Sequence, residues 1–328
     1  MKLTLGALLL ACLTGLSHAA AKPQSFADNP ATIEFAREME QRHGFNADEL
    51  LDKFAQTSSN AKVLQLIKPP ASPQQRSWER YRPRFLNDRR IDGGVRFWQD
   101  NRTVLARARA MYGVPEEIIV AIIGVETEYG RNTGGFRVLE ALATLAFDYP
   151  RRADFFRTEL EQFLLLAREN NMDPLSIKGS FAGAIGIPQF MPGSQRRYAV
   201  DFDGDQRVDL SGSFDDAVGS VGRFLEQHGW QAGQPIAIAA RVQGEPAREL
   251  IEAGIRPTLK VGELAAQGIS SRAGNEDNVA LIDLVSPGRE TEYWLGYENF
   301  YVITRYNRSS FYAMSVFQLA EEIRQRMR

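Results

Sequence analysis

Cysteine is almost absent. Cys12 is the single one in 328 residues, so no disulfide can form within the chain. Histidine is nearly as scarce, with three, which leaves no thiolate or imidazole metal cluster to build. An excess of one charge is missing too. Lys and Arg total 39 against 41 Asp and Glu, a formal net charge of −2. The overall balance therefore gives no pull toward nucleic acid or an anionic membrane surface. Residues 1–21, MKLTLGALLLACLTGLSHAAA, hold only about 14 apolar or small residues before Ser17, too few for a membrane span of roughly 20. Lys2, the apolar run and the small residues at Ser17-His18-Ala19 and Ala19-Ala20-Ala21 instead fit a removable export signal. Leu9-Leu10-Ala11-Cys12 loosely resembles a lipoprotein cleavage box, but Cys12 comes very early and its upstream apolar region is short. A soluble exported protein is expected, with lipidation at Cys12 the lesser alternative.

What the chain does have is ample apolar material: 44% of residues are hydrophobic, enough for two or three domains. The most informative stretch is VPEEIIVAIIGVETEYG, residues 114–130. Pro115 suits a first helical turn, Glu116 and Glu117 favour the positive end of the dipole, and Gly130 suits a stop. Ile118, Ile119, Ile122, Ile123 and Glu126 recur at helical spacing, which places Glu126 on the apolar stripe. A carboxyl there loses hydration, so its pKa rises and it can hold a proton near neutrality, as a general acid must. A core-edge glutamate satisfied by an arginine or by backbone amides would show the same pattern.

Residues 22–80 suggest polar-faced helices with a linker at Lys68-Pro69-Pro70-Ala71-Ser72-Pro73. Between residues 76 and 109 ten arginines face four acids. Most suit solvated faces and ion pairs, and a minority can line a groove for an anionic polymer. Tyr81, Phe85, Phe97 and Trp98 lie among them, as core or as rings for stacking on sugars. Helices are expected over 137–147 and 151–170, the second opened by Arg151 and Arg152, where cations oppose the dipole. GSFAGAIGIPQFMPGS, residues 179–194, breaks any regular helix at Gly179, Gly183, Gly186 and Gly193 and carries the neutral groups Ser180, Gln189 and Ser194. It suits either close backbone approach to a ligand or a tight turn.

In DFDGDQRVDLSGSFDD, residues 201–216, Asp201, Asp203 and Asp205 alternate so as to converge on a hard cation. Only half of an EF-hand signature is present, and the late carboxylate is either Asp215 or Asp216. An empty acidic turn is the alternative. From 234 to 297, IAIAARV, RPTLKV and VALIDLV give a small β subdomain. Then Tyr297, Phe300, Tyr301, Tyr306, Phe311 and Tyr312 are expected to crowd around Asn307, before a last helix from about 310. Asn and Tyr together suit sugar hydroxyls and amides.

Four pieces in order carry a resemblance: Gly124-Val125-Glu126-Thr127-x-Tyr129-Gly130; Ser180-x-Ala182-Gly183-Ala184-x-Gly186-x-x-Gln189-Phe190-Met191-Pro192; the Asp-rich loop after Tyr198-Ala199-Val200; and Asn299 to Ser309, NFYVITRYNRS. Together they resemble the lytic murein transglycosylase B family and its soluble relatives, from about residue 30 to the end. The resemblance implies a mainly α fold, with an N-terminal helical region (22–110), a lysozyme-like core holding a cation loop (111–233), the β subdomain and a return to the core (298–328). It implies cleavage of the β-1,4 bond between N-acetylmuramic acid and N-acetylglucosamine in peptidoglycan, ending in a 1,6-anhydro sugar. Glu126 would be the only catalytic carboxylate. Ser180 would orient the acid or the acetamido group, while Gln189, Tyr306, Asn307, Tyr312 and Tyr81 would bind sugars. Arg151 and Arg152 would meet an anionic stem peptide or lactyl group. Asp201, Asp203, Asp205, Arg207 and Asp216 would hold a structural calcium or sodium ion, with no cofactor needed for the chemistry. Glycan strands are the implied partner, other cell-wall enzymes being further candidates. A periplasmic monomer that binds no nucleic acid is expected.

Overall fold

A computed structural model describes residues 25–69, 76–246 and 248–328. The export signal, Cys12 and most of the Pro-rich linker fall outside the described residues. Among those described, no helix is long and apolar enough to cross a membrane.

The fold is mainly α, and the helix Glu116–Thr127 lies at its centre. Four helices pack on it: Asp88–Asp100, Arg102–Tyr112, Phe214–Gln227 and Ser310–Arg326. Every residue from Ile118 to Val125 is buried. The single apolar stripe expected from the sequence is therefore corrected: Val120, Ala121 and Val125 face neighbours as fully as the isoleucines do, and a helix enclosed on all sides must be apolar on all sides.

A second core forms where Pro30–His43, Ala47–Phe54 and Ala61–Leu66 meet the long pair Val138–Phe147 and Ala153–Glu169. Asn29, Asn46 and Asn60 cap the first three of these helices through their side chains. Phe35, Phe54 and Phe147 meet edge to face, with ring centres 6.0–6.3 Å apart. The N-terminal helical stretch thus divides between two cores. Residues up to Ile67 pack in this one, and Trp78 onward joins the central one.

Among the described residues, seven strands make two sheets. β1 (Phe136–Arg137) pairs antiparallel with β2 (Lys178–Gly179), with Phe136 opposite Gly179. The larger sheet runs in the order β4 (Leu259–Lys260), β6 (Asn278–Leu284), β7 (Glu292–Gly296), β3 (Ala237–Val242), β5 (Ile269–Ser270), with antiparallel pairs throughout. β6 is buried on both faces. Val279 and Leu281 point into the subdomain's own small core, while Ala280, Ile282 and Leu284 point into the central core. That alternation seats the sheet on the helix Ser310–Arg326.

Candidate active site

Glu126 occupies the last turn of the central helix. The helix stops sooner than Gly130 suggests, because Glu128 is the first residue beyond it to turn left-handed. Glu128, Tyr129 and Gly130 take φ of 53°, 63° and 83° in succession. Two non-glycine residues in that region cost about 1–3 kcal/mol each unless their surroundings hold them. Here the surroundings do. The buried Glu128 carboxylate pairs with Arg89 and faces Arg131. The Tyr129 hydroxyl donates to the Arg90 carbonyl at 2.7 Å. Thr127 donates its hydroxyl to the Ile187 carbonyl at 2.8 Å and accepts from the Gly130 N–H at 3.0 Å. The turn that carries Glu126 is thereby fixed from three sides.

Glu126 keeps some contact with solvent but is densely enclosed. Burial raises its carboxyl from 4.5 to about 7, while a hydrogen bond from the Tyr312 hydroxyl to Oε1, at 2.6 Å, pulls the other way. No charged side chain figures among the causes. The Glu126 charge in turn helps hold the hydroxyls of Tyr81, Tyr306 and Tyr312 protonated, after burial as the first cause. Tyr312 is 3% exposed. Expected among the sugar contacts, it is committed to the acid instead. Tyr306 stacks on it at 6.4 Å and donates to the Pro188 carbonyl at 2.6 Å. Tyr81 stacks on Trp78 and packs on Phe85 and Phe311.

The glycine-rich stretch makes a turn beside the acid. Ser180 Oγ accepts from the Ala184 N–H at 3.0 Å and makes no hydrogen bond to Glu126. Gln189 sits at φ 52° and donates its amide to the carbonyls of Thr133 and Gly186, at 3.0 and 2.9 Å. Since both neighbours are acceptors, its nitrogen is spoken for and Oε1 is left for a ligand. Gly134, at φ 99°, lies so close to Gly179 that a Cβ would run into that carbonyl, which brings the two loops together over β1 and β2. Asn307 is exposed on the turn before the last helix. It is not ringed by aromatics as expected: Phe300 and Phe311 turn inward to the core, and Tyr297 reaches Asp277 in the subdomain.

A groove of about 690 Å³ opens beside Gln189 and Tyr306, with Phe155, Glu159, Tyr198 and Arg308 among its walls. Arg151 and Arg152 are exposed in a short 3-10 turn before the helix Ala153–Glu169, so they do not open that helix itself. Arg152 lies 4.2 Å from the ring of Phe155, at the groove wall. Glu159 is buried and accepts the Gly193 N–H at 2.8 Å; burial raises its pKa. Most of the basic run at 76–109 has structural partners, including Arg76 with Ser310, Arg82 with Gln318, Arg107 with Asp215 and Arg109 with Glu116.

The carboxylates of Asp201, Asp203 and Asp205 each offer an oxygen within 4.8 Å of the others, a donor set that fits a hard cation. Asp216 stands outside that trio. It is buried, and its two oxygens accept the N–H groups of Phe202 and Asp209, both at 2.7 Å, so it staples the loop. Arg207 donates its N–H to Asp205 at 2.9 Å; its carbonyl is the atom able to take a cation. The loop leans on the active-site turn, since the Ile187 N–H donates to the Leu210 carbonyl at 2.7 Å.

Comparison with known proteins places the chain among relatives. A family model described as a transglycosylase SLT domain matches residues 27–321. Membrane-bound lytic murein transglycosylase B of Escherichia coli (strain K12) is 43% identical over 309 residues, 91% of this chain and 84% of that protein. The crystal structure of soluble lytic transglycosylase SltB1 from Pseudomonas aeruginosa superposes with a TM-score of 0.84 at 49% identity, covering 90% of this chain and 99% of that one. The Escherichia coli lytic transglycosylase Slt35 in complex with calcium gives 0.83 at 41% identity, covering 95% and 98%.

Proposed function

This chain belongs to the transglycosylase SLT domain family, and from that premise we propose that it is a lytic murein transglycosylase in which Glu126 serves as both acid and base. The bond cut is the β-1,4 link between N-acetylmuramic acid and N-acetylglucosamine, and the product ends in 1,6-anhydro-N-acetylmuramic acid. The observation that carries the proposal is a single enclosed carboxyl at about 7 with a tyrosine hydroxyl on one oxygen and no charged partner.

At neutral pH a large share of Glu126 is protonated. Tyr312 occupies Oε1, so Oε2 is free to carry the transferable proton. That proton goes to the glycosidic oxygen as its bond to C1 breaks, and N-acetylglucosamine leaves with a free hydroxyl. Glu126 is now a carboxylate, stabilised by the Tyr312 hydrogen bond. It takes the proton from the muramoyl 6-hydroxyl as that oxygen bonds to C1. The acid is regenerated and no water is consumed. A two-carboxylate glycosidase would need a second acid facing the first; none acts on Glu126, and the substrate's own N-acetyl group is the stabiliser of the positive charge at C1.

Ser180 keeps its hydroxyl proton uncommitted among the described residues, which suits the acetamido carbonyl. In this reading Gln189 Oε1, Asn307, Tyr306 and Tyr81 would meet sugar hydroxyls and faces. Arg151 and Arg152 stand ready for an anionic substituent. A calcium ion at the aspartate trio would supply a fixed loop beneath the turn that holds Gln189; a relative bound to calcium supports that choice. For an enzyme that acts on the cell wall, the periplasm is the compartment we propose.

The test is mass spectrometry of muropeptides released from purified peptidoglycan. Products one water lighter than those of a hydrolase, lost on Glu126→Gln, are expected. Hydrated, reducible ends would make the enzyme a muramidase and overturn the proposal.

A further inference from the structure

Strands β3 and β7 part company halfway along the larger sheet. They pair from Ala237 opposite Gly296 to Ala240 opposite Tyr293, and there the ladder stops. Beyond that point Arg241 and Val242 pair with β5 alone, while Glu292 pairs with Leu284 of β6. The register says which way the backbone faces in the resulting fork. The Tyr297 N–H donates to the Ile236 carbonyl, and the Gln243 N–H to the Gly268 carbonyl. Even-numbered residues of β3 therefore turn their N–H and C=O groups toward β7, and odd-numbered ones toward β5. Val242 and Thr291 stand opposite each other in that register, but their backbone groups have no hydrogen-bond partner among the described residues. A cavity of about 1010 Å³ occupies the fork, lined by both. Its rim is acidic. Glu245, Glu290 and Glu292 are exposed in the lining and, among the described residues, make no ion pair. Of the two arginines there, Arg289 is held by Glu79 at 2.7 Å, which leaves Arg241 to oppose them. Glu245 stands near enough to Tyr293 that its charge, after burial, raises the pKa of that hydroxyl. Trp294, also in the lining, meets Phe317 of the helix Ser310–Arg326 edge to face at 6.1 Å, which anchors the fork to the central core.

We propose that this fork takes an extended, basic segment of a partner protein, which enters as an added strand between Val242 and Thr291. The inference stands apart from the glycan-cleaving reading of the active site and goes beyond it. Unpaired N–H and C=O groups at a sheet edge are a template for another chain, and main-chain hydrogen bonds then supply the affinity. Side chains of an added strand alternate between the two faces, so lysine or arginine at every second position can meet the carboxylates of the rim. Three carboxylates against one free arginine disfavour an acidic segment by like-charge repulsion and make entry sensitive to salt.

The test uses the full chain and three short, end-blocked peptides of equal length, followed by fluorescence anisotropy over a range of salt. One alternates lysine with valine and one alternates glutamate with valine. The third is the lysine peptide methylated at its valine amides, which keeps the charge and removes the donors along one edge. The unmethylated lysine peptide should bind at least about tenfold more tightly than either of the others. Glu245→Gln, Glu290→Gln and Glu292→Gln combined should weaken it by about tenfold and flatten its salt dependence, with the melting temperature unchanged. Equal binding of the methylated and unmethylated peptides would reduce the site to charge attraction and overturn the added strand. No loss on the triple variant would overturn the proposal too, as would a glutamate peptide that binds as tightly, or a lysine peptide that does not bind. Sedimentation of the chain alone supplies the last outcome: self-association that the triple variant abolishes would make a second copy the occupant, and the proposal would fall.

Discussion

Replacing Glu126 with Gln removes an ionisable group while keeping its shape and an acceptor for the Tyr312 hydroxyl. The consequence for stability can be worked out. In the folded protein burial lifts this carboxyl from 4.5 to about 7. Below 4.5 both folded and unfolded chains carry the proton, and the site costs the wild type nothing. From 4.5 to about 7 only the unfolded chain releases it, so wild-type stability falls as pH rises, and above 7 the loss is complete. The interval is about 2.5 pH units, and at 1.36 kcal/mol each it amounts to roughly 3 kcal/mol. Glu126→Gln should therefore exceed the wild type by roughly that amount at pH 8 and by little at pH 4. Urea unfolding of the two proteins at pH 4, 6 and 8 measures the difference, because every other titrating group is common to both and cancels. A difference that does not change with pH, or a variant less stable at pH 8, would refute the claim that the acid is held protonated at a cost in folding energy.

Removing the Tyr312 hydroxyl by Tyr312→Phe takes away the one contact that lowers the Glu126 pKa. The alkaline limb of the kcat/KM profile should move up by about one pH unit while the maximal rate falls. An unmoved limb would mean that Tyr312 does not govern the acid. Millimolar calcium should raise the melting temperature, and Asp203→Asn with Asp205→Asn should abolish the rise. A flat response in the wild type would leave the loop as a bare acidic turn. Gly134→Ala should destabilise by at least about 2 kcal/mol, since it adds a Cβ at positive φ against the Gly179 backbone. A melting temperature equal to wild type would show that the two loops can separate freely.

Elements whose signals are local were the legible ones. The helices Val138–Phe147 and Ser310–Arg326 and the strands β3 and β6 lie within a few residues of their expected places. β5 and β7 were missed, the first because two residues carry no pattern, the second because Glu292 to Gly296 alternates too weakly. The expected run at 256–261 is in fact β4 followed at once by a short helix from Val261. Glu126 stands out in the sequence because it directly follows an unbroken uncharged run, Ile118 to Val125. The hydrogen bond from Tyr312 was not legible, since 186 residues separate it from Glu126 and sequence spacing says nothing about such a pair. The same holds for Arg197, Arg305 and Arg308, which look like ordinary surface charges until the fold sets them around one groove. Thr127 lay inside a motif already singled out. Its work, however, is a hydrogen bond to Ile187, visible only once the turn is folded back on the helix.

The claim at the centre of this account is that the nucleophile is a hydroxyl of the substrate and that Glu126 moves the proton both ways. Digestion of purified peptidoglycan in water enriched in heavy oxygen tests it most directly, with the muropeptides then weighed by mass spectrometry. The account predicts that no heavy oxygen enters the newly formed muramoyl ends. Heavy oxygen at C1 of those ends would show that water attacks, and would contradict it.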